Sequence, residues 1–140
     1  MDHEVVLVGV DNRDILDRVA DEVFDADLRV AALNKFLSHQ WSALIVCLKD
    51  SVVVGQVRGC VHFQPDDDPE LYIDNLGVAP GHHRQGIATA LVQALFQWST
   101  QYHCTSYWVA TELDNESARA FYQSLDARSD SMTYFEGTPG

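Results

Sequence analysis

Positive charge is what this sequence has least of: nine Lys and Arg stand against twenty-one Asp and Glu, a formal net charge of −12. So few cations exclude nucleic acid as a partner, because affinity there is built from many Lys and Arg contacts to phosphate. Long-range attraction favours cationic partners instead, and the same acids serve plain solubility. Long apolar runs are also missing; none approaches the roughly 18 to 20 residues that span a bilayer, and the start, MDHEVVLVGVDNRD, is acidic where a secretory signal is basic. The expectation is a cytoplasmic protein with no membrane segment. Cysteine is sparse: Cys47, Cys60 and Cys104 are odd in number, widely spaced and never in a CxxC pair. That argues against a disulfide framework or zinc site and predicts reduced thiols among apolar neighbours and no bound metal.

What remains is enough for one folded domain, residues 1–140, at 46% hydrophobic. VVLVGV (5–10) reads as a strand. DNRDILDRVADEVF follows with Ile15, Val19 and Val23 at helical spacing behind Asp11 or Asn12 as cap, and DADLRVAALNKFLSHQ predicts a second helix capped by Asp25 or Asp27. A hairpin is expected over 43–48 and 52–63, turning at Lys49, Asp50 and Ser51; residues 71–78 form the next strand. A helix with Ile87, Leu91, Leu95 and Trp98 on one stripe runs to about Tyr102, its broad apolar surface suited to lie on a sheet. SYWVATE predicts a strand, NESARAFYQSL a helix capped by Asp114 or Asn115, and SMTYFEG a last strand. The order is β-α-α-β-β-β-α-β-α-β, a mixed α/β (α+β) domain without repeats or linkers.

The one concentrated oddity is VAPGHHRQGIATALVQAL (78–95). Between Gly59 and Ala118 the only Lys or Arg is Arg84, and it stands in this strand-to-helix loop. Gly81 and Gly86 have the G-x-x-x-x-G spacing of a P-loop, but Ile87 and Ala88 replace the Lys and Ser/Thr that would reach phosphates and hold magnesium. Metal-assisted phosphoryl transfer therefore lacks its parts. Two readings of the loop alone stay open. One is an ordinary glycine turn with a solvated arginine. The other is a diphosphate site, since the first N–H groups of a helix have no internal partners and its macrodipole adds positive charge.

IDNLGVAPGHHRQGIATALVQAL resembles the signature region of the GNAT acetyltransferase superfamily, V-x-P-x-x-(R/Q)-x-x-G-x-(G/A), through Val78, Pro80, His83, Gly86 and Ala88. About thirty residues on, DNESARAFYQSLDA resembles its second motif through Asn115, Ala118, Phe121, Tyr122, Leu125 and Ala127. The resemblance covers nearly the whole chain and implies a mixed, splayed β-sheet flanked by helices. It implies acetyl-coenzyme A as cofactor, with its pyrophosphate on the amides of about Arg84, Gln85, Gly86, Ile87 and Ala88. Its pantetheine arm would lie along Leu76, Gly77 and Val78, where two strands part, with Asn115 also touching the arm or simply capping its helix. There are two departures. His83 stands at the usual Arg/Gln position, which makes cofactor binding there sensitive to the imidazole's charge. Asp126 replaces a common glycine, where a left-handed backbone would strain it.

Acetyl transfer to an amine needs a neutral amine, a stabilised oxyanion and a proton for the departing thiolate. The resemblance implies Tyr122 as the acid, against a plain core role for that aromatic pair, and the Val78 N–H as oxyanion donor. For the base, the local choices are Asp74 and Glu112, directly or through water. Asp74 and Asn75 face opposite sides of a strand unless a bulge intervenes, so which of them reaches the site stays open. The likeness extends to the aminoglycoside 3-N-acetyltransferases, whose strand is similar to YIYDLAV; this chain has Asn75 at their aspartate. The expected activity is direct N-acetylation of a primary amine on a cationic small molecule, an aminoglycoside or polyamine. The resemblance also implies a homodimer as one assembly open to the chain, since the family often dimerises; the oligomeric state stays open. The rival readings are a non-catalytic acyl-coenzyme A sensor and an enzyme acetylating protein N-termini or lysines.

Overall fold

The computed structural model describes residues 3–140, gathered into two compact units that meet in sequence between Val109 and Ala110. The first holds a five-stranded sheet in the order β1-β2-β3-β4-β5: β1 His3–Leu7, β2 Ser42–Lys49, β3 Val52–His62, β4 Glu70–Val78 and β5 Ser106–Trp108. The first four strands are antiparallel and β5 runs parallel to β4. Two-sided burial explains why β2 and β3 read as near-continuous apolar runs: Val46, Cys47, Val53 and Val57 are all inaccessible to solvent.

Helix α2, Ile87–Ser99, covers one face of this sheet through Ile87, Leu91, Val92 and Leu95. It comes close because β3 offers glycine there; a Cβ on Gly55 would stand 2.9 Å from Ile87 Cγ2 and 3.1 Å from Leu91 Cδ1. On the other side Val8, Val23, Leu44, Val46, Val53 and Ala79 form a cluster, joined by Leu33, Phe36 and Leu37 of α1, Val30–Leu37.

The hairpin falls where the sequence predicts it, with Asp50 (φ 52°) and Ser51 (φ 64°) both left-handed, a type I′ connection between twisted strands. Ser51→Gly is expected to stabilise the chain by about 0.5–1 kcal/mol, because relieving about 1–2 kcal/mol of left-handed strain outweighs the glycine's extra freedom when unfolded. A thermal melt reads this as a Tm rise of a few degrees. A fall in Tm contradicts it.

Three expected elements differ. The helix anticipated over 11–24 is a single 3-10 turn, Arg13–Asp17. Asn12 does not cap it; its side chain accepts from the Gly9 N–H (2.6 Å) and donates to the Leu7 carbonyl (3.1 Å). Residues 18–20 then run along β3, with the Val53 N–H on the Arg18 carbonyl and the Ala20 N–H on the Val53 carbonyl, which helical backbone does not permit. Helix α1 starts five residues after Asp25, behind an extended Arg29, so neither Asp25 nor Asp27 caps it. Residues 131–137 form no strand; Met132, Tyr134 and Phe135 are 81–90% exposed, and a strand needs a neighbour's N–H and C=O, which helix α3, the one regular element of the second unit, does not supply.

The second unit is organised by that helix, Glu116–Ser124. The Asn115 side chain caps it by accepting from the Ala118 N–H at 3.1 Å. It ends on Asp126 at φ 61°, the left-handed position that the sequence marks as strained for a non-glycine.

Candidate active site

Strand β4 carries the site because it has company on one side only for much of its length. It pairs with β3 from Glu70 to Val78, but with β5 only from Glu70 to Tyr72. From residue 73 to 78 its other edge faces no strand among the described residues. Successive N–H groups of a strand point to opposite sides, and the Ala79 N–H goes to the Val54 carbonyl on β3. The N–H and C=O of Val78 therefore point to the open edge, as do those of Leu76. Such an edge accepts another extended chain.

Beyond Val78 the chain makes a 3-10 turn, Pro80–His82, then passes through Arg84 (φ 62°) and Gly86 (φ 77°) before α2 begins at Ile87. The two left-handed residues aim the loop so that α2 starts beside the end of β4. Gly86 suits that conformation and leaves its front open; a Cβ there, or on Gly81, would meet nothing within 4 Å. The first intrahelical bond is Ala90 N–H to Gly86 C=O, and no side chain caps the helix. The amides of residues 87–89 thus point outward without helical partners, at the positive end of a thirteen-residue helix. Arg84 is exposed beside them, Gln85 and Ala88 are half-buried, and Ile87 anchors the turn in the core at 2% exposure. His83 turns back to β4, its Nε2 2.8 Å from the Val78 carbonyl. Since a carbonyl only accepts, that nitrogen carries the hydrogen.

The register of β3 and β4 shifts between Arg58 and Gly59, leaving Asp74 as an extra residue on β4. This bulge brings both side chains to one face of the sheet. Gln56 and Arg58 share a face of β3; Asp74 meets Arg58 Nε at 2.6 Å, and Asn75 accepts from Gln56 Nε2 at 2.6 Å, so both reach it. Asn75 also donates to Asp25 Oδ2 at 3.0 Å. Gly77 lets this crossing segment lie close, since a Cβ there would stand 2.2 Å from the Val23 carbonyl oxygen. Asp25, Gln56 and Arg58 are additions that sequence reading missed; the residues they join lie 16 to 50 positions apart. Asp25 and Arg58 also line an open cleft of about 260 Å³ against α1, together with Asp27, Arg29 and Phe36.

The second unit holds the other expected residues. Glu112 is exposed and its carbonyl accepts from the Asn115 N–H at 3.0 Å, so the two share one turn. Tyr122 is the buried residue of α3, its ring 5.0 Å edge-on from Phe121. A thiol nucleophile is poorly served anywhere: burial pushes Cys47, Cys60 and Cys104 up from the ordinary range, and Asp74 and Glu70 push the last two further in the same direction. Among the described residues no group of three or more His, Cys, Asp or Glu is arranged to hold a metal ion, and no helix is long and apolar enough to cross a membrane.

Known proteins share this fold. The family model described as acetyltransferase (GNAT) family matches residues 12–126. Aminoglycoside N(6′)-acetyltransferase type 1 of Acinetobacter haemolyticus is 22% identical over 108 residues, 74% of each chain. In structure, an aminoglycoside acetyltransferase from an uncultured soil metagenomic sample, in complex with sisomicin, superposes with a TM-score of 0.85 at 20% identity, covering 99% of this chain and 97% of the other. AAC(6′)-Iy, in complex with the bisubstrate analogue CoA-S-monomethyl-acetylneamine, gives 0.82 at 16% identity over 99% of both chains. The relatives named for a ring position are thus of the 6′ type, where the sequence resemblance had suggested 3-N enzymes.

Proposed function

The chain belongs to the acetyltransferase (GNAT) family, and from that premise we propose that it moves an acetyl group from acetyl-coenzyme A directly to a primary amine of a cationic small molecule, an aminoglycoside. One juxtaposition carries this reading: the open edge of β4 runs straight into the uncapped amides that begin α2. An extended amide-bearing arm fits the first and a diphosphate fits the second, and coenzyme A is built of these two parts in that order. Bound acetyl-coenzyme A supplies the activated thioester.

On this reading the amides of residues 86–88 and the Arg84 guanidinium neutralise the diphosphate, with Gln85 at the rim. Leu76, Gly77 and Val78 line the arm, and His83, by holding the Val78 carbonyl, fixes the turn between the two sites. The Val78 N–H stabilises the oxyanion as the amine attacks. Asp74 or Glu112, through water, takes the amine's proton, while the Tyr122 hydroxyl delivers a proton to the departing sulfur. Asn115 orients the start of α3 by capping it. The acidic balance of the chain supports a polycationic acceptor.

The test is a panel of amines, aminoglycosides and polyamines among them, incubated with acetyl-coenzyme A while free thiol is measured. Acceptor-dependent thiol release is expected; uptake of acetyl-coenzyme A with release on no amine overturns the proposal. A second expectation concerns the cradle alone. Gly86→Val places a β-branched residue at φ 77° and a side chain in front of the amides, so coenzyme A should bind at least about tenfold more weakly by titration calorimetry. Unchanged affinity contradicts the cradle.

A further inference from the structure

The hydrogen bonds around Asn75 have a direction. Gln56 Nε2 donates both to the Val23 carbonyl (3.2 Å) and to Asn75 Oδ1 (2.6 Å), which fixes the orientation of both amides, and Asn75 Nδ2 then donates to Asp25 Oδ2 (3.0 Å). The series starts on a fully buried glutamine and ends on an exposed carboxylate. Gln56 is 0% exposed and its Oε1 has no partner among the described residues. Stability alone does not account for such a residue, because an unpaired buried oxygen is destabilising and a leucine would fill the space. What Gln56 does achieve is to hold Asn75, and through it Asp25, in one place.

That place is chemically specific. Asn75 lies on β4 between the Asp74 bulge and the open edge at Leu76 and Val78. Asp25 lines the cleft beside it, with Oδ2 taken by Asn75 and no bond to Oδ1 among the described residues. Of the cations in the lining, Arg58 is engaged by Asp74 at 2.6 Å, and Arg29 forms no ion pair with Asp25 among the described residues. Asp25 itself forms no ion pair among the described residues, and its one bond is from a neutral amide. We infer that Asp25 binds an ammonium group of the acceptor and so selects polyamino substrates, with Asn75 and Gln56 as positioning residues. This inference rests on the N-acetyltransferase reading above.

The experiment titrates neamine into protein saturated with coenzyme A, by calorimetry, with thiol release followed in parallel. Asp25→Asn should weaken neamine binding by about tenfold or more, with coenzyme A affinity within twofold of wild type as proof of folding. Exchanging the facing pair, Asp25→Asn with Asn75→Asp, keeps one carboxylate and one amide at the contact and should bring neamine binding back to within about threefold of wild type. A merely structural pair gives no such rescue. Asp25→Asn within twofold of wild type, a double variant no tighter than the single one, or wild-type protein that takes up no neamine would each overturn the inference. Failure of the enzyme reading looks different: coenzyme A binds and no amine releases thiol, whatever the variants do with neamine.

Discussion

Gly77→Ala is expected to be the most damaging single-methyl change in the chain. The added Cβ would lie 2.2 Å from the backbone oxygen of Val23 and 3.2 Å from its carbonyl carbon, and neither can swing aside as a flexible side chain can. The segment around Val23 must move off β4. Val23 is itself a core residue at 2% exposure, and its carbonyl takes a bond from buried Gln56, so the displacement opens the core and strips a partner from a buried amide. Overpacking and the lost bond together should cost at least about 3 kcal/mol, a Tm lower by roughly 10 °C or more. A melt within 2 °C of wild type contradicts the packing described. Because Gly77 lies between Leu76 and Val78, any variant that stays folded should also bind coenzyme A poorly.

The second large effect is on rate. Tyr122→Phe keeps the ring that meets Phe121 edge-on and removes only the hydroxyl. If that hydroxyl protonates the leaving sulfur, kcat should fall by about a hundredfold or more while the affinity for acetyl-coenzyme A stays within about threefold, the signature of a group used in the transition state rather than in binding. The measurement is steady-state thiol release alongside calorimetry of the cofactor. Equal turnover removes Tyr122 from the proton path.

These two residues differ in how visible they are from sequence. Tyr122 stands in a motif, and β2, β3, β4 and α2 announce themselves by apolar runs or a helical stripe, because their neighbours in the fold agree with their local pattern. The Asp50–Ser51 turn and the loop at Gly86 are legible for the same reason: short segments with few conformations open to them. Residues 11–24 mislead because Ile15, Val19 and Val23 have helical spacing, yet the backbone at Arg18 and Ala20 is drawn to Val53 on β3. Tertiary pairing there overrides propensity. Residues 131–137 alternate like a strand, but alternation supplies side chains and not a partner edge.

The Gln56–Asn75–Asp25 series was out of reach for another reason. Its contacts join positions 19 and 50 residues apart, and Asp25 reads locally as a helix cap. Only the bulge at Asp74, which no single residue type signals, turns Asn75 toward Gln56 while Asp74 meets Arg58 on the same face. Sequence raised the question of Asp74 against Asn75 and could not answer it, since one inserted residue reverses the alternation of a strand.

Main-chain donors at the start of α2 are the heart of the proposed cofactor site, and diffraction from crystals grown with coenzyme A tests them most directly. Diphosphate oxygens are expected at hydrogen-bond distance, about 2.7–3.2 Å, from the N–H groups of residues 86–89, with the arm alongside Leu76 and Val78. A diphosphate bound elsewhere on the molecule, with those amides facing only water, would contradict it.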